Sequence, residues 1–169
     1  EVAFAIESLE FYRREKDYIP RWDDEDDPIG VSKIEIAIKA PAYKLLVQSK
    51  DATIKADDFL SKIRQIIGDT ASATYCNIGV SLVEISAKKA NKMNALIEFA
   101  KKYNIPNSNV YAFGDNVNDF EMLDWSENSW IMESGHPDGV KFAKNIAPSF
   151  DQDGLAQILE DIYIKFYQG

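Results

Sequence analysis

The 169-residue chain carries 28 acidic against 19 basic side chains, a formal charge of −9, and no Lys/Arg-rich stripe that could release counterions from a phosphate backbone, which excludes nucleic acid as its main partner. With 46% hydrophobic and 12% aromatic residues it can bury a core, so it is one or two small globular domains and not a disordered tail. The single Cys76 excludes an internal disulfide and no apolar run is long enough for a helical membrane span, so a soluble, cytoplasmic protein without membrane partners is expected.

The chain opens on Glu1, and in "EVAFAIESLEFYRREKDY" Val2, Ile6 and Leu9 share one helical face. This stretch therefore predicts a helix already under way, and the chain is expected to be a fragment. The acidic run at Asp23 to Asp27 reads as a solvated loop, with a cation site as the alternative. Ile34, Ile36 and Ile38 alternate with polar residues as a half-buried strand would, and "AYKLLVQS" predicts another. Phe59, Ile63, Ile66 and Ile67 mark a helix stopped by Gly68, after which "ATYCNIGVSLVEIS" returns to strand-like spacing. Cys76 within it reads as a small buried residue, a reactive thiol being the alternative.

From about Ser86 the rhythm changes to helix, short apolar strand, helix. Leu96, Phe99, Ala100 and Tyr103 line a helix, and Val110 to Phe113 form a buried strand. "SWIM" and "NIAP" are two more apolar segments on either side of a helical "PDGVKFAKN", and Leu155, Ile158, Leu159, Ile162 and Phe166 line a last helix. Such alternation predicts parallel strands with helical crossovers, though with few strands for the helices they must cover. In open parallel sheets ligands gather where strands end and helices begin. Asp115 follows Gly114 at such a place in "YAFGDNVNDFEML", where it suits either a hard cation or a simple turn. Asn118 there could cap the helix or present its amide to an anion.

"FGDNVNDFEML" resembles the Gly-Asp-x-x-Asn-Asp-x-x-Met-Leu motif of the haloacid dehalogenase (HAD) superfamily, in its branch of Cof-type sugar-phosphate phosphatases of cap class IIB. The upstream "VEISAKKANKMNALIEFAKKYNIPNSNVYAFGD" resembles that branch's approach, with Lys92 at its essential lysine, and "WIMESGHPDGVKFAKNIAPSFDQDGLAQIL" is similar to its closing segments. The resemblance implies an α/β fold: the C-terminal half of a Rossmann-like HAD core at 83–169, with parallel strands and helical crossovers, joined to an α+β cap domain at 1–82 that selects substrate. It further implies Mg2+-dependent hydrolysis of a small phosphorylated metabolite, a sugar phosphate foremost, through an aspartyl-phosphate. By motif position Asp115 is the metal ligand, Lys92 the cation that offsets charge on nucleophile and phosphate, Asn118 the contact to the phosphoryl group, and Asp119 a support for Lys92 or the metal's waters.

The family's opening strand, which ends in Asp-x-Asp-Gly-Thr, has no counterpart before Ser86. Asp24 and Asp26 have the spacing without a strand ahead of them, and Asp151 and Asp153 have it beside Gly154 but in the closing segment. By itself the chain is therefore expected to be inactive, with its sheet completed by a missing N-terminal segment, a partner chain or self-association. Ser134 stands where the family has Asn, Gly139 reads as an insertion, and His136 reads as a surface residue at a helix entry, a proton shuttle being the alternative. A non-catalytic binding module on the HAD fold and a phosphomutase or phosphotransferase are the rival functions.

Overall fold

A computed structural model of the chain describes residues 1–20, 29–75 and 81–167. The acidic run, with Asp24 and Asp26, and Cys76 lie outside the described residues. The chain divides into two compact units, Glu1–Ala90 and Asn91–Gly169.

The first unit is a five-stranded antiparallel sheet of β1 (Val2–Glu7), β2 (Tyr12–Arg14), β3 (Lys44–Ser49), β4 (Ala71–Thr74) and β5 (Leu82–Ala87), in the order β2-β1-β3-β5-β4. Helix α1 (Ala56–Ile67) packs on β4 and β5 through Phe59, Leu60 and Ile63. Because β5 pairs with both β3 and β4, the break between the units falls after Ala90 and not at 82/83.

Two expectations for this unit are corrected. The opening stretch is a strand, not a helix: Ala3 and Ala5 pack with Leu46 and Leu82 on one face while Ile6, with Phe4, packs with Ile34 on the other. An apolar run buried on both faces has no polar period to read, and Leu9, the residue that completed the helical stripe, is 84% exposed. The isoleucine alternation is likewise not a strand but a 3-10 turn at Ile34–Ile36. Ile34 and Ala37 are buried at the i, i+3 spacing of such a turn, whereas Ile36 and Ile38 face solvent. Glu15 decides the matter, because its carboxylate accepts from Phe4 N–H and from Ile34 N–H, both at 3.0 Å, and so ties the turn to β1.

The second unit is a three-stranded parallel sheet, β6 (Tyr111–Gly114), β7 (Asn128–Met132) and β8 (Asn145–Ala147), in the order β6-β7-β8. Its helices are α2 (Lys92–Lys102), α3 (Phe120–Trp125) and α4 (Gly154–Tyr167). Ala112 and Ile131 meet Leu123 of α3 on one face of the sheet, while Phe113, Trp130 and Tyr111 stack along the other, where the edge of Phe166 meets Tyr111. The second unit thus has the expected α/β arrangement of parallel strands and helices, and the first is an antiparallel α+β unit. The predicted helix in "PDGVKFAKN" is shorter, a 3-10 turn at Pro137–Lys141. Gly139 there approaches Ile131 so closely that a Cβ would lie 2.4 Å from its Cδ1.

Replacing Glu15 by Ala strips the shared acceptor from two main-chain N–H groups and should lower stability to urea by about 1–3 kcal/mol. Glu15→Gln, which keeps one acceptor oxygen, should lose less, as equilibrium unfolding of the two variants will show.

Candidate functional site

The turn after β6 is built around one buried carboxylate. Asp119 is 2% exposed, and its Oδ2 accepts from the N–H groups of Asp115 (3.0 Å) and Asn116 (3.2 Å). Its Oδ1 pairs with the Lys92 ammonium. Gly114 is required by this closeness, since a Cβ at that position would stand 2.4 Å from Asp119 Cβ. Asn116, also buried, forms the capping box with Asp119 at the entry to the Val117–Asp119 turn, and its Oδ1 accepts from Val117 N–H at 2.8 Å. The cap is therefore Asn116 and not Asn118. Sequence reasoning passed over Asn116, although the spacing Asn-x-x-Asp immediately ahead of an apolar run is the signal of such a box.

Lys92 is the first residue of α2, where the helix dipole disfavours a cation. The buried Asp119 offsets that cost and holds the ammonium in place. Asn91 prepares the same corner by capping α2, its Oδ1 accepting from Asn94 N–H at 2.8 Å and its amide donating to Glu121 at 2.5 Å. All four residues singled out from the sequence, Lys92, Asp115, Asn118 and Asp119, thus belong to one corner of the second unit.

Asp115 is solvent-exposed, and its carboxyl is pushed above the ordinary carboxylate range, first by loss of solvation and then by the neighbouring charge of Asp119, against the pull of Lys92. Asn118 is half-buried and its Oδ1 is enclosed without a hydrogen-bond partner. Among the described residues no cluster of three His, Cys, Asp or Glu side chains could form an all-protein metal cage. Mg2+ is commonly bound by one or two carboxylates while water and substrate oxygens fill its shell, so the single exposed carboxylate of Asp115 is compatible with it. The raised Asp115 carboxyl, facing a second carboxylate, is a site that a cation would relieve.

The loop from Met132 to Gly139 closes the corner from the other side. His136 donates its N–H to the Asp115 carbonyl at 2.7 Å, and a Cβ on Gly135 would stand 2.6 Å from that same oxygen. His136 is not the surface residue expected but is buried, 6% exposed, because the loop folds back over Phe120. Ser134 accepts from Phe150 N–H at 3.0 Å. Asp151 and Asp153, the decoy pair, are exposed beyond β8 in the turn that enters α4.

An exposed strand-end aspartate, a buried aspartate four residues on and a lysine held by it are thus brought together at the end of a strand of a parallel sheet. The family model for haloacid dehalogenase-like hydrolases matches residues 9–159, and the chain belongs to that family. It is 32% identical over 79 residues to phosphatase YwpJ of Bacillus subtilis, covering 47% of this chain and 28% of YwpJ. It is 21% identical over 164 residues to the 5-amino-6-(5-phospho-D-ribitylamino)uracil phosphatase YitU of the same organism, covering 96% of this chain and 59% of YitU. The HAD subclass IIB sugar phosphatase BT4131 shares the fold with a TM-score of 0.76 at 16% identity, covering 96% of this chain and 61% of the other. The chain therefore spans less than two thirds of the length of these relatives. Among the described residues no helix is long and apolar enough to cross a membrane.

In metal-free protein the raised Asp115 carboxyl penalises the folded state once it must ionise. Its folded value lies above its unfolded one, so this penalty is absent below the unfolded value, grows as pH rises between the two, and is complete above the folded value. Asp115→Asn should accordingly melt at or above the wild-type temperature at pH 7 without divalent cations, with the difference vanishing in acid. Melting curves from pH 3 to 8 in chelator will show whether it does.

Proposed function

We propose that the chain is the cap and C-terminal half-core of a cytoplasmic, Mg2+-dependent phosphatase that hydrolyses a small phosphorylated metabolite through an aspartyl-phosphate. The observation that carries this reading is the Lys92–Asp119 pair beneath the Asp115 turn, a cation anchored by a buried carboxylate beside a carboxylate left open to solvent. Family membership supports it, and so do the names of YitU and BT4131, which describe a phosphorylated ribityl compound and sugar phosphates as the substrates of those proteins. On this reading the first unit is the substrate-selecting cap.

Bound Mg2+ would neutralise phosphoryl oxygens as negative charge accumulates in the transition state. Asp115 would hold it. Lys92 supplies a fixed positive charge toward the phosphoryl group and the attacking carboxylate, and costs little reorganisation because Asp119 has already aimed it. Asn118 has an amide to offer a phosphoryl oxygen, while its enclosed Oδ1 needs a donor that water can supply. Asp119, committed to two main-chain N–H groups and to Lys92, positions the others and exchanges no proton. The attacking aspartate is a residue that these four do not include.

Among the described residues β6 is paired on one side only, and this, with the exposed Phe99, Tyr103, Leu155, Leu159 and Tyr163, supports a further part of the proposal. The working sheet is extended at β6 by another strand, from a longer parent chain or a second copy. A well-behaved monomer of this chain alone in light scattering would count against it.

In the full-length protein, phosphate release from a panel of phosphorylated sugars and polyols should fall to background in chelator and return with Mg2+. Lys92→Ala should lower kcat by roughly 10²-fold or more. An isomeric product with little free phosphate would instead make the protein a phosphomutase, and saturable binding of a phosphorylated compound without turnover would make it a binding module.

A further inference from the structure

The buried histidine has a place that neither the motif nor the proposed mechanism uses. Both main-chain groups of Asp115 are committed: its N–H to Asp119 Oδ2 at 3.0 Å and its carbonyl to His136 N–H at 2.7 Å. The two partners come from different loops, so the backbone direction at Asp115, and hence the Cα–Cβ vector that aims its carboxylate, is set only while those loops keep their spacing. Gly135 permits the close approach, because a Cβ there would meet the Asp115 carbonyl oxygen at 2.6 Å.

The His136 side chain is what anchors the second loop. Its Nδ1 accepts from Asp138 N–H at 3.1 Å, which starts the Pro137–Lys141 turn, and its ring lies edge-on to Phe120 with centroids 5.5 Å apart. Phe120 follows Asp119 directly in the chain and stacks on Phe142 at 4.5 Å. The imidazole therefore joins the loop that holds the Asp115 carbonyl to the segment that holds the Asp115 N–H. An apolar side chain of similar size would satisfy Phe120 but leave the Asp138 N–H without its acceptor.

We propose that His136 is a positioning residue for Asp115, fixing the direction of its carboxylate and so setting the affinity of the site for Mg2+. The proposal rests on the reading of Asp115 as the metal ligand, and the experiment separates the two. Isothermal titration of the full-length protein with MgCl2, well below its melting temperature, is run on wild type, His136→Ala, His136→Asn and Gly135→Ala. His136→Ala should weaken Mg2+ binding by about tenfold or more, the scale on which partners behind a metal ligand act, and lower kcat at subsaturating Mg2+ while substrate KM stays within about twofold. His136→Asn, whose Oδ1 can stand near the position of Nδ1, should recover part of that affinity, and Gly135→Ala should weaken it as His136→Ala does. If His136→Ala does not fold, the other two variants carry the test. Wild-type protein without Mg2+ affinity would overturn the assignment of Asp115 and this inference with it. Wild-type affinity in the folded His136 and Gly135 variants, with only a lower melting temperature, would overturn this inference alone and leave the Asp115 assignment standing.

Discussion

Burying the Asp119 carboxylate is the constraint on which the rest of the corner depends. A charge taken out of water is costly unless it is paired and hydrogen-bonded. Asp119 meets that demand with two main-chain N–H groups on one oxygen and the Lys92 ammonium on the other. Each of these bonds also does something for its partner. The N–H bonds hold the backbone of Asp115 and Asn116 in the turn, and the ion pair stations a cation at a helix N-terminus, where it would otherwise be repelled. Gly114 follows from the same demand, because the carboxylate occupies the space in which a side chain there would lie.

The sheet makes the corner rigid. Tyr111, Phe113 and Trp130 stack along one face of β6 and β7 and Ala112, Ile131 and Leu123 close the other, so the end of β6 is held from both sides. Parallel pairing aligns Gly114 with Ile131, placing the ends of β6 and β7 together and bringing the 132–139 loop onto the Asp115 turn. A tight βα turn and a loop containing Gly135 and Gly139 thus meet because the strands beneath them are in register. Local sequence chooses the turns, and the sheet decides which turns become neighbours.

This division explains what could be read from the sequence. The helices α1, α2 and α4, the strands β3, β6, β7 and β8, and the grouping of Lys92, Asp115, Asn118 and Asp119 were legible because short-range periodicity or a spaced motif encodes them. The misread elements depend on contacts remote in sequence. Nothing in "KIEIAIK" announces that Glu15, 19 residues before Ile34, will capture its N–H, and β1 lost its strand signal because both its faces are apolar. His136 was misjudged for a related reason. A histidine before a proline looks like a loop surface, and only the fold-back onto Phe120 buries it.

The balance of satisfied and unsatisfied groups sets this turn apart from an ordinary capped turn. A structural capping box needs a polar cap and an acceptor, which Asn116 and Asp119 supply in full. Nothing in that task calls for an Asp115 whose carboxyl is pushed upward by lost solvation and by its neighbour, nor for an Asn118 oxygen enclosed without a donor. Both cost stability. They stand within four residues of each other, beside the one ammonium that Asp119 holds. What each group lacks is a partner, a cation for the carboxyl and a hydrogen-bond donor for the amide oxygen, and a ligand that brought them would offset both costs. On the proposed reading, hydrated Mg2+ would bring both.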